Sequence, residues 1–242
     1  MNIKIDAKRT FIFLVSCNLI LIGAHLLSVM FRFGFGHWSE SIFTILNLDE
    51  EANIPAFYSA VILLFSSILL FIIAFFCRAE QKKDYKYWLG LALVFLFLSF
   101  DESASIHELI IRVFWRLYKP TEFDNYVWLV PYGILVIILT VVYWRFIFAL
   151  PRKIYILFLI SGALYVGGAL GFESVGAFYI GASWYQAIEW DKYADAGYYL
   201  ISTVEESGEM FGVVIFIYAL MSYIELTWQG LYVCGDRPPV EK

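Results

Sequence analysis

The chain has 242 residues, of which 61% are hydrophobic, 20% aromatic and only 16% charged, with a formal net charge of −5. Soluble proteins average about a quarter charged residues, so the composition argues against a soluble enzyme. The acidic balance and the lack of a G-x-x-x-x-G-K-[ST] phosphate loop argue against nucleic acid and nucleotide as partners. What remains is an all-α, polytopic integral membrane helical bundle whose constant partner is the lipid bilayer.

A spanning helix needs about 20 apolar residues, and the sequence offers about six transmembrane helices, near 10–31, 56–77, 87–110, 127–149, 154–180 and 197–222. Residues 1–242 then form a single transmembrane domain, and its loops are too short to hold a separate catalytic unit. The first span follows Lys4, Lys8 and Arg9 as a signal sequence would. It reaches Met30-Phe31-Arg32 without a small-residue cleavage pattern, which predicts a retained anchor. Cys17, Cys77 and Cys234 are too scattered for a disulfide framework or a C-x-x-C site.

Twelve of the 17 Lys and Arg residues lie in the N-terminus, the 78–86 and 145–153 connections and the tail. By the positive-inside rule both termini are cytoplasmic, although Arg112, Arg116 and Lys119 run against it. A plasma or bacterial inner membrane is the expected location. Segments 32–55, 111–126 and 181–196 are then outside, with acidic groups at Asp49-Glu50-Glu51 and at Glu189, Asp191 and Asp195. Trp88, Trp115, Trp128, Trp144 and Tyr198 fall near span ends, where aromatic belts are expected.

The third span ends in Asp101-Glu102-Ser103-Ala104-Ser105-Ile106-His107-Glu108. Two readings are open. In one the span stops near Phe100 and an interfacial helix begins at Asp101, favoured there by the helix dipole. In the other the helix runs on to about Tyr118, and Asp101, Ser105, Glu108 and Arg112 form one stripe. Pro131, near the start of the fourth span, is the only proline inside a span. The fifth span places Ala163, Gly167 and Gly171 four apart, a small-xxx-small stripe for close helix contact, and carries Glu173. In the sixth, Ser202, Glu205, Gly208, Glu209 and Gly212 share about 120° of arc, with Glu206 turned about 100° from Glu205.

At ~1.5 Å per helical residue, Asp101 lies about 21 Å from the inner edge, Glu108 and Glu173 near 30 Å, and Glu205 to Glu209 about 12 to 18 Å below the outer edge. His25 reaches a similar depth, whereas His37 lies in an outer loop. Ionisable groups at such depth mark function by default. Almost no basic residue shares it, so the carboxyls must be neutral, hydrated or bound to a cation.

Three functions satisfy that condition. A divalent metal (Mn, Fe, Zn or Mg) suits an oxygen-rich set with histidine. Glu102, His107, Glu108, Glu173, Glu205 and Glu209 would be its ligands, with Asp101 and Glu206 as catalytic base or supporting groups. The chain would then be a metal-dependent hydrolase or transferase acting on a lipid-like substrate. The Glu-x-x-His pair of helical di-iron proteins is not matched, which lowers an oxidase reading. A proton- or cation-coupled transporter with an ion substrate is the alternative, tempered by the lack of an inverted repeat. The third is a noncatalytic subunit whose acids pair with a membrane protein partner.

Overall fold

The computed structural model describes residues 3–35, 39–106, 109, 129–180, 195–229 and 231–233. Six helical segments are long and apolar enough to cross a membrane: Ala7–Gly34, Ile54–Ala79, Tyr85–Ala104, Leu129–Ala149, Arg152–Gly176 and Ala196–Trp228. All six overlap the spans expected from hydropathy, and the described chain is an all-helical bundle apart from one short strand pair.

Polar residues at the chain's turns start the helices. Asp6 accepts the Arg9 N–H at 2.7 Å to open α1 (Ala7–Met30). A short helix, α2 (Glu40–Leu46), follows the first span. Asn53 then accepts the Ala56 N–H at 3.0 Å, ahead of Pro55 in the first turn of α3 (Ile54–Ala79). After α4 (Tyr85–Ala104) and α5 (Leu129–Ala149), Pro151 forces the tight turn into α6 (Arg152–Val166). A π-helical segment, Gly167–Phe172, joins α6 to α7 (Glu173–Ile180). Asp195 caps the longest helix, α8 (Ala196–Trp228), by accepting the Tyr198 N–H at 3.0 Å. Each such cap contributes about 1 kcal/mol.

The third span corrects the longer of the two readings of its end. Ser105 is left-handed, with φ 51°, and its N–H caps back to the Asp101 carbonyl. A chain that turns there cannot carry one helical stripe from Asp101 to Arg112. His107, Glu108 and Arg112 lie outside the described residues.

Helices α3 and α8 form the centre. Val214, Ile217, Ala219 and Leu220 of α8 and Leu70 and Ile73 of α3 are fully buried, while α5 leaves Ile134, Ile137 and Val141 exposed toward lipid. Phe95 of α4 stacks on Phe216 of α8 with centroids 4.5 Å apart. Trp88, expected in an interfacial belt, is instead buried and meets Phe146, Phe158 and Tyr223 edge-on or tilted. Its indole fills the junction of four helices.

The first and last described segments lie at one end of the bundle. Strand β1 (Ile3–Ile5) pairs antiparallel with β2 (Leu231–Val233), Ile3 opposite Val233, and the Ala7 N–H reaches Glu225 at 3.0 Å. The basic α3–α4 turn joins them there. Glu80 pairs with Lys82 at 2.7 Å and accepts from the Trp228 indole at 2.6 Å.

Candidate functional site

The sixth spanning helix meets the fifth backbone to backbone. A Cβ added at Gly168 would lie 2.7 Å from the Glu205 carbonyl oxygen, and one at Gly212 would lie 2.9 Å from the Ser161 carbonyl oxygen. At Gly208 the nearest atom would be the Leu164 carbonyl oxygen, 3.2 Å away. Gly208 and Gly212 therefore do provide close approach beside the acids. On the facing helix the contact stripe is Ser161, Leu164, Tyr165 and Gly168, which corrects the expected stripe: Gly167 and Gly171 face open space, and Ala163 is exposed.

The π segment also re-aims Glu173. Its N–H bonds to the Gly168 carbonyl, five residues back. In a regular α-helix Glu173 would be turned about 140° from Gly168. The wider π turn stacks it above Gly168 instead, on the side that touches α8. The carboxyl oxygens of Glu173 and Glu205 consequently lie within hydrogen-bonding distance.

The other acids gather around that pair. Glu206 interacts electrostatically with Glu209, Glu102, Asp49 and Glu173, and Glu209 with Glu102, Glu173 and Asp101. Glu102, Tyr165, Glu209 and Ser59 line a small void between α3, α4, α6 and α8, about the size of one water molecule. Asp101, only 6% exposed, accepts the Tyr132 hydroxyl of α5 at 2.7 Å. Of the expected residues, Asp101, Glu102, Glu173, Glu205, Glu206 and Glu209 thus fall within one electrostatic neighbourhood. Among the described residues no three His, Cys, Asp or Glu side chains are grouped as a metal ion requires. Two of the six expected ligands, His107 and Glu108, lie outside that description.

By sequence Asp49 belongs to an acidic outer loop, yet its partners lie on α8. Asp49 Oδ1 accepts from the Tyr198 hydroxyl at 3.0 Å and from Ser202 Oγ at 2.9 Å. These two residues precede Glu205, Glu206 and Glu209 on the same side of α8. Tyr198 is therefore part of the site rather than of an aromatic belt. The loop is held from behind: His25, fully buried in α1, accepts the Leu48 N–H on Nδ1 at 3.1 Å. Asn53 Nδ2 donates to the carbonyls of Thr44 and Asn47 at 3.0 and 2.6 Å. Burial pushes the Asp49 carboxyl up from 3.8 to about 7, against the two hydroxyls and with help from Glu173 and Glu50. The clue in the sequence was the run Asn47-Leu48-Asp49 to Asn53, polar groups packed into a short connection.

Residues 14–224 match DUF8692, a domain of unknown function; the match reaches into all six spans and includes every acid of the site. The chain belongs to the DUF8692 family. Neither a comparison with curated proteins nor one with solved structures finds a match. For this DUF8692 member, function must therefore be argued from the site itself.

Proposed function

We propose that the protein is a proton-coupled transporter, in a plasma or bacterial inner membrane, with the Glu173–Glu205 pair as its proton-binding centre. The observation that supports this most is the approach of those two carboxyls to hydrogen-bonding distance. Two ionised carboxylates that close would repel by about 5 kcal/mol even at an effective dielectric of 20. One proton between them removes that repulsion and supplies a hydrogen bond. The electrostatic neighbours of the pair are further acids, Glu206 and Glu209, so a second proton or a cation is the species that relieves them. A site with these properties loads and releases protons, as Asp and Glu chains do in pumps and transporters.

The test is proton movement in liposomes holding the purified full-length chain and a trapped pH dye, driven by a potassium diffusion potential. Wild type takes up protons, and Glu173→Gln and Glu205→Gln each lower the rate at least tenfold while melting at the wild-type temperature. Metal content by mass spectrometry on the same sample decides the competing reading. A stoichiometric divalent metal in a protein that moves no protons would turn attention to a metal-dependent hydrolase or transferase of lipid-like substrates.

A further inference from the structure

Asp49 belongs neither to a spanning helix nor to the carboxyls that pack between α6 and α8, yet hydrogen bonds tie it to them. It sits at the end of the bundle opposite the paired termini, on the loop that leads into α3. Its two hydroxyl partners, Tyr198 and Ser202, stand one helical turn apart on α8. The Tyr198 hydroxyl lies in turn in the field of Glu173 and Glu205. The phenol thus touches the half-buried Asp49 carboxyl and lies within electrostatic reach of the carboxyl pair.

We propose that Asp49 is the group through which the Glu173–Glu205 centre exchanges protons with the solvent at that end, that Tyr198 relays them, and that His25 is the positioning residue that holds Asp49 in reach. The proposal rests on the transporter reading above. In the inward step protonated Asp49 gives its O–H proton to the Tyr198 oxygen while the phenol gives its own proton to the carboxylate of Glu205 or Glu173. One O–H bond breaks and one forms at the phenol, so no phenolate is needed. Water then returns a proton to Asp49.

His25 enters through the backbone. Because Nδ1 accepts from Leu48 N–H, the neutral ring carries its proton on Nε2. A neutral, buried imidazole next to the loop fixes Leu48, and with it the direction of the following residue. The ionisable groups facing Asp49 are Tyr198 and Glu206 from α8, Glu173 from α7 and Glu50 in its own loop; the three glutamates disfavour its ionised form, whereas the Tyr198 hydroxyl supports it. An exchange group with those neighbours titrates near neutral pH, where it can both take and give a proton.

Liposome proton uptake is measured against external pH for wild type, Asp49→Asn, Tyr198→Phe, His25→Ala and Glu205→Gln, each checked by thermal melting in detergent. Asp49→Asn is expected to slow uptake at least tenfold and to flatten its pH profile around 7, with Asp49→Glu restoring much of both. Tyr198→Phe slows uptake without moving the profile. His25→Ala lowers the rate and shifts the profile toward more acid values as the loop becomes hydrated. If Glu205→Gln is inactive but Asp49→Asn and Tyr198→Phe keep the wild-type rate and profile, the access role is overturned and the transporter reading stands. If wild type itself moves no protons, both fall. Should Asp49→Asn fail to fold, Tyr198→Phe decides alone.

Discussion

Gly168→Ala tests the helix contact on which the whole site depends. The added methyl carbon would stand 2.7 Å from the Glu205 carbonyl oxygen, 3.0 Å from Glu209 Cγ and 3.2 Å from the Glu209 backbone nitrogen. Two of those three atoms are backbone, so no rotamer change relieves the clash and the helices must part. Forcing a methylene into a packed contact costs about 1–3 kcal/mol. Gly167 and Gly171 meet nothing within 4 Å, and an alanine there gains up to about 1 kcal/mol by restricting the unfolded chain. Gly168→Ala makes the same gain, so the adjacent glycines should differ by the clash alone, about 1–3 kcal/mol. Equilibrium unfolding by SDS in mixed micelles reads the difference directly. Equal stability of Gly168→Ala and Gly167→Ala would refute the contact, and damage at Gly167 and Gly171 with none at Gly168 would restore the stripe that the sequence suggests.

Tyr132→Phe leaves the buried Asp101 carboxyl without its 2.7 Å donor, and is expected to destabilise the fold by about 1–3 kcal/mol in the same unfolding assay; a neutral result would mean that Asp101 is solvated without it. Asp49 gives stability a pH dependence of known sign. Its folded value is raised from 3.8 to about 7, so its contribution is fully present below pH 4 and is lost as pH rises to 7. At about 1.36 kcal/mol per tenfold, that loss reaches roughly 4 kcal/mol. Subtracting an Asp49→Asn melting series from wild type isolates the effect, and a flat difference between pH 4 and 8 would show that the carboxyl is hydrated in the fold.

The bundle itself was legible because lipid allows few solutions. Backbone groups in a bilayer must be satisfied within the segment, so long apolar runs become helices, and all six appear where hydropathy places them. The glycines of α8 were legible for the same reason, since Gly208 and Gly212 lie four apart beside acids. The facing stripe was not. Reading it required the helix phase after Val166, and the π segment shifts that phase without any proline or charge to announce it. Asp49 was hidden by distance along the chain: 149 residues separate it from Tyr198, and no local pattern encodes a contact between a loop and a far helix. Trp88 failed as a belt residue because position near a span end fixes depth, not direction.

The apolar half of α8 sets the hardest condition on transport. From Glu209 to Trp228 the helix runs about 28 Å at ~1.5 Å per residue. Along it Met210, Val213, Val214, Phe216, Ile217, Leu220 and Ile224 are buried against Leu63, Leu70, Ile73 and Ala74 of α3 and Trp88 and Ala92 of α4. The acids are thus continuous with one end of the bundle and sealed from the end that carries the termini. A one-sided enzyme can work in this conformation, but a transporter must part that seam, because a bare proton cannot cross such a thickness of hydrocarbon. Val214, fully buried at the centre of the seam, reports the opening. With Cys17, Cys77 and Cys234 replaced by alanine, Val214→Cys should react with a membrane-impermeant maleimide added from the terminal side, faster when a proton gradient drives turnover and slowly when Glu205→Gln is also present. A cysteine at 214 that stays unreactive across pH 5 to 8 with the gradient in either direction would mean that the seam never opens, and the carboxyls would then serve chemistry confined to the far side of the membrane.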